Sequence, residues 1–271
     1  MAQITALNIY PVKSCRGIAL GSARITSMGF EHDREWLIVR PDGQFMTQRE
    51  EPRLALIETS LNGEGLQLRN SHGDALQVSL DEAGAEVNVA CWRDRCAAFD
   101  AGEAAARWLS AFLGKPARLV RFDPRRKRPS EARWTQGVEA LNRFTDGFPW
   151  LLISQASLDD LNSRLPTPLP MNRFRPNIVI DGVPAYAEDR AAEFRIDGAA
   201  LTPVKACTRC AIPTTDQMTG ERDSDEPLRT LRQYRFSREL KGVVFGQNLI
   251  LREGVDQELR VGQRVEVIGD L

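Results

Sequence analysis

The sequence predicts a mainly β protein with a few helices, and two observations predict it. Short apolar runs recur along the chain and are closed by proline, glycine and asparagine turn signals, the grammar of an antiparallel barrel or sandwich. Long stretches with apolar residues at helical spacing are few, and the clearest lies near residues 101–115.

Ile4, Leu7 and Ile9 form the first strand-like run, stopped at Pro11; Ile18, Leu20, Ala23 and Ile25 suggest the next. EWLIVR, PDGQ and FMTQ read as strand, turn and strand, because Pro-Asp-Gly supplies the backbone angles of a tight turn. RLALIETSL, NGEG and LQLR repeat that pattern, and ALQVSL and AEVNVAC follow. In AGEAAARWLSAFLGK, Trp108, Leu109, Phe112 and Leu113 make the apolar stripe of a helix, with Gly114 as its C-terminal cap and Pro116 beyond. ARLVRF reads as a strand and DPRRKRPSEARW as an exposed basic loop. SQASLDDLNSRL reads as a second helix, with Ser157 and Asp160 spaced as a capping box. NIVI, EFRID, ALTPVK, NLILRE and RVEVIG read as strands.

A chain of 271 residues with 42% hydrophobic and 27% charged residues is of ordinary globular composition and suits one large domain or two modest ones. The net charge of −1 gives no electrostatic case for nucleic acid or an anionic membrane as partner. The start, MAQITALNIYPVKS, lacks the basic and apolar stretches of a signal peptide, and no window resembles a membrane helix. A cytoplasmic location is the expectation. Five cysteines, Cys15, Cys91, Cys96, Cys207 and Cys210, are odd in number and scattered, so reduced thiols are expected.

VKACTRCAIPTTD carries the strongest chemical signal, with Cys207 and Cys210 in a C-x-x-C arrangement. Four readings stand: two buried small side chains, a redox pair, a structural zinc site joined by Cys91 and Cys96, or one thiolate on a soft metal centre brought by a cofactor. Lys205 and Arg209 lie close by, and cations favour the ionised sulfur that ligates or attacks. Lys13 and Ser14 in YPVKSC pair an ammonium with a hydroxyl after a proline, a combination able to hold a phosphate. Arg34 in HDREWLIV reads as the partner of Asp33 or Glu35. In NRFRPNIVI, Arg175 and Asn177 flank a proline that fixes the chain. FTDGFPW contains the Asp146-Gly147 turn, followed by Phe148. His32 and His72 read as surface or structural residues. Neither a P-loop nor a dinucleotide fingerprint is present.

Taken in order, YPVKSC, DREWLIV, EPRLALI, TDGFPWLLIS, NRFRPNIVIDG, VKACTRC, EPLRTLRQYR and FGQNLI resemble the MOSC-domain family over nearly the whole chain. It is similar to the bacterial YcbX-type proteins and to the mitochondrial amidoxime-reducing component. The resemblance implies an N-terminal β-barrel domain over residues 1–121 and a β-barrel MOSC domain over 122–271, with a molybdenum–pyranopterin cofactor between them. It implies that Cys210 ligates molybdenum, with Cys207 a neighbour. It places Lys13, Ser14, Arg34, Asp146, Gly147, Phe148, Arg175 and Asn177 on cofactor-contacting positions. It also implies reduction of hydroxylamines, amidoximes or N-hydroxylated bases by oxygen-atom removal. Electrons would come from a separate flavin reductase, ferredoxin or cytochrome, since the four-cysteine ferredoxin-like domain of some relatives is not seen and no NAD, pyridoxal phosphate or haem is expected. A non-catalytic carrier holding sulfur as a persulfide on Cys210 is the alternative.

Overall fold

A computed structural model describes residues 1–80 and 84–269. The first half holds β1 (Ala2–Ile9), β2 (Ile18–Leu20), β3 (Ser22–Thr26), β4 (Gly29–Phe30), β5 (Trp36–Val39), β6 (Glu58–Asn62), β7 (Gly65–Arg69), β8 (Ala75–Ser79), β9 (Glu86–Cys91), β10 (Asp94–Asp100), helix α1 (Gly102–Leu113) and β11 (Arg118–Phe122). The second half holds α2 (Ala132–Thr135), β12 (Trp150–Ser154), α3 (Gln155–Arg164), β13 (Ile178–Asp181), β14 (Ala191–Ile196), β15 (Ala199–Thr208), α4 (Leu228–Tyr234), β16 (Phe236–Ser237), β17 (Gly242–Glu253), β18 (Glu258–Arg260) and β19 (Arg264–Gly269).

Seven strands close into a barrel in the order β12, β13, β1, β19, β14, β15, β17, because β12 also pairs with β17. Its interior is filled by Ile4, Leu7, Trp150, Leu152, Phe194, Leu201 and their neighbours, with Phe30 edge-on to Trp150 at 6.1 Å. A strict two-residue alternation from Ile4 would turn Ala6 inward and Leu7 outward. An irregularity between Ile4 and Ala6 re-phases β1, so Ile4, Leu7 and Ile9 are all buried. A boundary at 121/122 cuts off the last residue of β11, Phe122, and β1 hydrogen-bonds to β13 and β19, whose residues lie beyond it.

The first half adds the antiparallel sheet β5-β11-β10-β9 and the meander β6-β7-β8. Helix α1 covers this region with Ala105, Leu109, Phe112 and Leu113, packed with Trp36, Ile38 and Leu119. Gly114 ends it in the left-handed conformation, φ 66°, with its N–H on Ser110 O.

Several elements differ from the sequence reading. Pro52–Leu56, which overlaps RLALI, is a 3-10 turn, opened by Pro52, which cannot donate to a ladder; the strand begins at Glu58. FMTQ forms only an isolated bridge at Phe45, and Gln44 just before it forms another. The cap of α3 is Ser154, whose hydroxyl accepts from Ser157 N at 3.1 Å, while Ser157 Oγ donates to Glu188 at 2.7 Å. The basic loop contains the short α2 and is not fully exposed: Arg128 is buried. Helix α4 was not foreseen.

Candidate active site

Strand β1 runs antiparallel to β13, and β13 parallel to β12, so the end of β1 and the starts of β12 and β13 share one side of the barrel. Three segments gather there: Lys13 and Ser14 beyond β1, Asp146 to Phe148 ahead of β12, and Arg175 to Asn177 ahead of β13. Strand β15 supplies the fourth wall. Register shifts at Pro203/Lys205 and Ala206/Thr208 bend it, and it ends into Arg209 and Cys210. Together these walls bound an open cavity of about 830 Å³. Every one of the nine site residues singled out from the sequence lines it, Arg34 entering from the turn before β5.

The lining is strongly cationic. Among the described residues, Lys13, Arg34, Arg49, Arg175 and Arg209 face it, against the single carboxylate of Asp146. The Lys13 ammonium donates to Phe144 O at 2.8 Å and to Asp146, which leaves one of its three protons free. Arg34 is tied more completely. Its Nη1 donates to both Asp33 oxygens at 2.8 and 2.7 Å and to Asn177 Oδ1 at 2.9 Å, and its Nη2 donates to Arg175 O at 3.2 Å. Asn177 likewise spends its amide on the fold, donating to Asn8 O and accepting from Leu151 N. These two residues set the place of Arg175.

Arg175 is the less committed cation. Its guanidinium lies 4.2 Å from the centre of the Tyr10 ring, Nη1 reaches Gln217 Oε1 only at 3.5 Å, and Nη2 is buried without a hydrogen-bond partner. Burial disfavours the charge and pulls the Arg175 pKa down to about 10, still protonated at neutral pH. A buried cation with an orphaned N–H is a site waiting for an anion. Backbone strain collects at the same place. Ser14 (φ 70°), Arg34 (φ 47°), Trp92 (φ 61°) and Arg175 (φ 57°) line the cavity, four of the ten described non-glycine residues with positive φ.

The two C-x-x-C sulfurs differ in their partners. Arg209 Nη1 donates to Cys207 Sγ at 3.0 Å and its Nη2 to Phe174 O at 2.7 Å. Cys210 Sγ makes no hydrogen bond among the described residues and lies within reach of the Arg222 charge. Cys15 is buried, which pushes its thiol up to about 12 and leaves it unreactive. Cys91 and Cys96 are buried and hydrogen-bonded to one another, the bond lowering Cys91 and raising Cys96. Among the described residues no three His, Cys, Asp or Glu side chains form a metal set, so the four-cysteine zinc reading has no geometric support.

Several residues that shape the site escaped the sequence reading. Arg128 donates to Arg143 O at 2.8 Å and Thr145 O at 2.9 Å, and so holds the segment that carries Asp146. Gln48 and Gln217 exchange amide hydrogen bonds at 3.0 Å, and Gln48 also donates to Ser14 O at 2.7 Å. Trp92, in the turn between Cys91 and Asp94, lines the cavity mouth. A bulky residue at a turn position that favours glycine is the one signal the sequence offered for it.

Two domain models match the chain: the MOSC N-terminal beta barrel domain over residues 1–116 and the MOSC domain over residues 140–266. The chain is similar to mitochondrial amidoxime-reducing component 1 of Homo sapiens, 37% identical over 281 residues, which cover 98% of this chain and 83% of that protein. The Mus musculus protein is 36% identical, with 98% and 82% covered. Mitochondrial amidoxime reducing component 2 of Rattus norvegicus is 36% identical, with 84% and 70% covered.

Proposed function

The chain belongs to the MOSC-domain family that includes the mitochondrial amidoxime-reducing components, and from that premise we propose that it is a molybdenum-cofactor oxidoreductase reducing N-hydroxylated compounds. The observation that carries this is the pairing, in one cavity, of a buried guanidinium at Arg175 whose Nη2 has no hydrogen-bond partner with a Cys210 thiol that makes no hydrogen bond among the described residues. A pterin cofactor needs both: an anion site for its phosphate and a soft ligand for its metal. The residues present fit that group.

In this reading Cys210 ligates molybdenum. Arg175, the free proton of Lys13 and the Ser14 hydroxyl, which makes no hydrogen bond among the described residues, hold the phosphate end. Arg34 and Asn177 act one step back, fixing the Arg175 backbone and adding charge. The Asp146–Phe148 turn lines the mouth, its carboxylate held by Lys13 and by the Trp92 indole. Arg209 holds Cys207 and so keeps that sulfur off the metal. When bound, the cofactor supplies the two-electron chemistry that breaks the substrate N–O bond, the oxygen leaving as water. The substrates are hydroxylamines, amidoximes or N-hydroxylated bases, and electrons come from a separate electron-transfer protein.

The test is metal analysis of protein made with abundant cofactor, joined to benzamidoxime reduction with an artificial donor. The expected result is one molybdenum per chain and turnover, both lost in Cys210→Ser and kept in Cys91→Ser. Full molybdenum occupancy and wild-type turnover in Cys210→Ser would falsify the assignment. A Cys210 persulfide without molybdenum would establish the carrier instead.

A further inference from the structure

Trp92 is 41% exposed and stands at the first position of the two-residue turn between β9 and β10, where Cys91 pairs with Asp94. Its φ of 61° is one that glycine adopts freely and a bulky residue does not. A large exposed ring on a strained turn is unfavourable for folding and solubility alike. The ring is nevertheless fixed. Its Nε1 donates to Asp146 Oδ1 at 3.1 Å, the Arg49 guanidinium lies 4.3 Å from the ring centre, and Phe45 packs at 5.3 Å. It lines the same cavity as Cys210, Phe148, Ile212 and Pro213.

The cavity therefore has two characters. Its cations suit an anion, and the Trp92 and Phe148 rings in its lining suit something flat and apolar. We propose that Trp92 is the specificity-determining wall of the site, stacking on the planar conjugated part of aromatic amidoximes or N-hydroxylated heteroaromatic bases. This rests on the reductase reading given above. Stacking on an aromatic side chain tolerates many ring systems, because every such ring presents a π face. A rigid, pre-placed ring loses little freedom when it binds. Small aliphatic N-hydroxy compounds would gain nothing from it.

The experiment compares benzamidoxime with acetamidoxime, which share the reacting group and differ in the ring. Binding is measured by ligand-detected NMR on the holoenzyme without electron donor, and kcat and KM are measured with it. In Trp92→Leu the preference for benzamidoxime falls about tenfold, as a rise in KM and not a fall in kcat. Trp92→Phe keeps a ring but loses the indole N–H, so it retains most of the preference if stacking is responsible. An unchanged preference in Trp92→Leu overturns the proposal, as does equal loss in Trp92→Phe, which would make the tether to Asp146 the operative contact. Ring-dependent binding through Trp92 without reduction of either compound would uphold the stacking wall and overturn the reductase reading alone.

Discussion

At Arg175 a charged side chain sits in a left-handed backbone conformation, buried, with one guanidinium nitrogen, Nη2, unpaired. Such a residue is a cost to the empty protein and a gain once an anion arrives, so its removal should move stability and occupancy in opposite directions. Arg175→Met is expected to leave the apoprotein more stable by about 1–2 kcal/mol in urea titration. The same variant is expected to lose tenfold or more in molybdenum retained after dialysis, since a charge-assisted hydrogen bond to a phosphate is worth about 1.5–3 kcal/mol. Undiminished molybdenum retention would show that the anion sits elsewhere. The residue itself was legible in NRFRPN, because an arginine before a proline and a strand has few roles. Its supports were not. Gln48 and Gln217 are 169 residues apart, and Arg34 meets Asn177 across 143, so neither pairing leaves a trace in local spacing.

Strands β15 and β17 show why elements were harder to bound than to detect. β15 runs on from ALTPV to Thr208 and β17 begins ahead of NLIL at Gly242, with the polar Lys205, Gln247 and Asn248 inside the two strands. Polar residues belong there, since Asn248 lines the cavity and Gln247 donates to Asp189 at 2.7 Å. These polar residues interrupt the apolar pattern at the site, although the ladder continues through them, Lys205 opposite Asn248 and Ala206 opposite Gln247. Where β17 crosses β12 to shut the barrel, Gly246 has φ +80°, and a Cβ there would stand 2.6 Å from Ile153 Cγ1 and 2.9 Å from Leu152 O. Neither the angle nor the gap suits any side chain. Gly246→Ala is expected to destabilise by about 3 kcal/mol, combining the left-handed backbone penalty with overpacking. Urea unfolding would read this as a lower midpoint at similar slope. A loss below about 1 kcal/mol would mean that the closure is looser than the geometry states.

Across the whole molecule the barrel is completed by the strand farthest from it in sequence. Two barrels in succession were expected, and the closed barrel of the second half takes β1 between β13 and β19. That insertion was illegible because β1 reads alike whichever sheet receives it. It ties the halves together at the site, since Lys13 and Ser14 follow directly from β1. Removing β1 would expose Ile4, Leu7 and Ile9 partners and leave two unpaired edges inside the former barrel. Burying those three side chains is worth roughly 5–9 kcal/mol, comparable to the whole stability of a domain. Residues 122–271 expressed alone are therefore expected to be insoluble or to melt without a cooperative transition. Co-expression with residues 1–121 as a separate chain should restore a folded complex, because strand pairing does not require covalent continuity. A dispersed amide spectrum and a sharp melt from 122–271 alone would show that the second half closes its barrel without β1, and that the cavity is not a joint product of both halves.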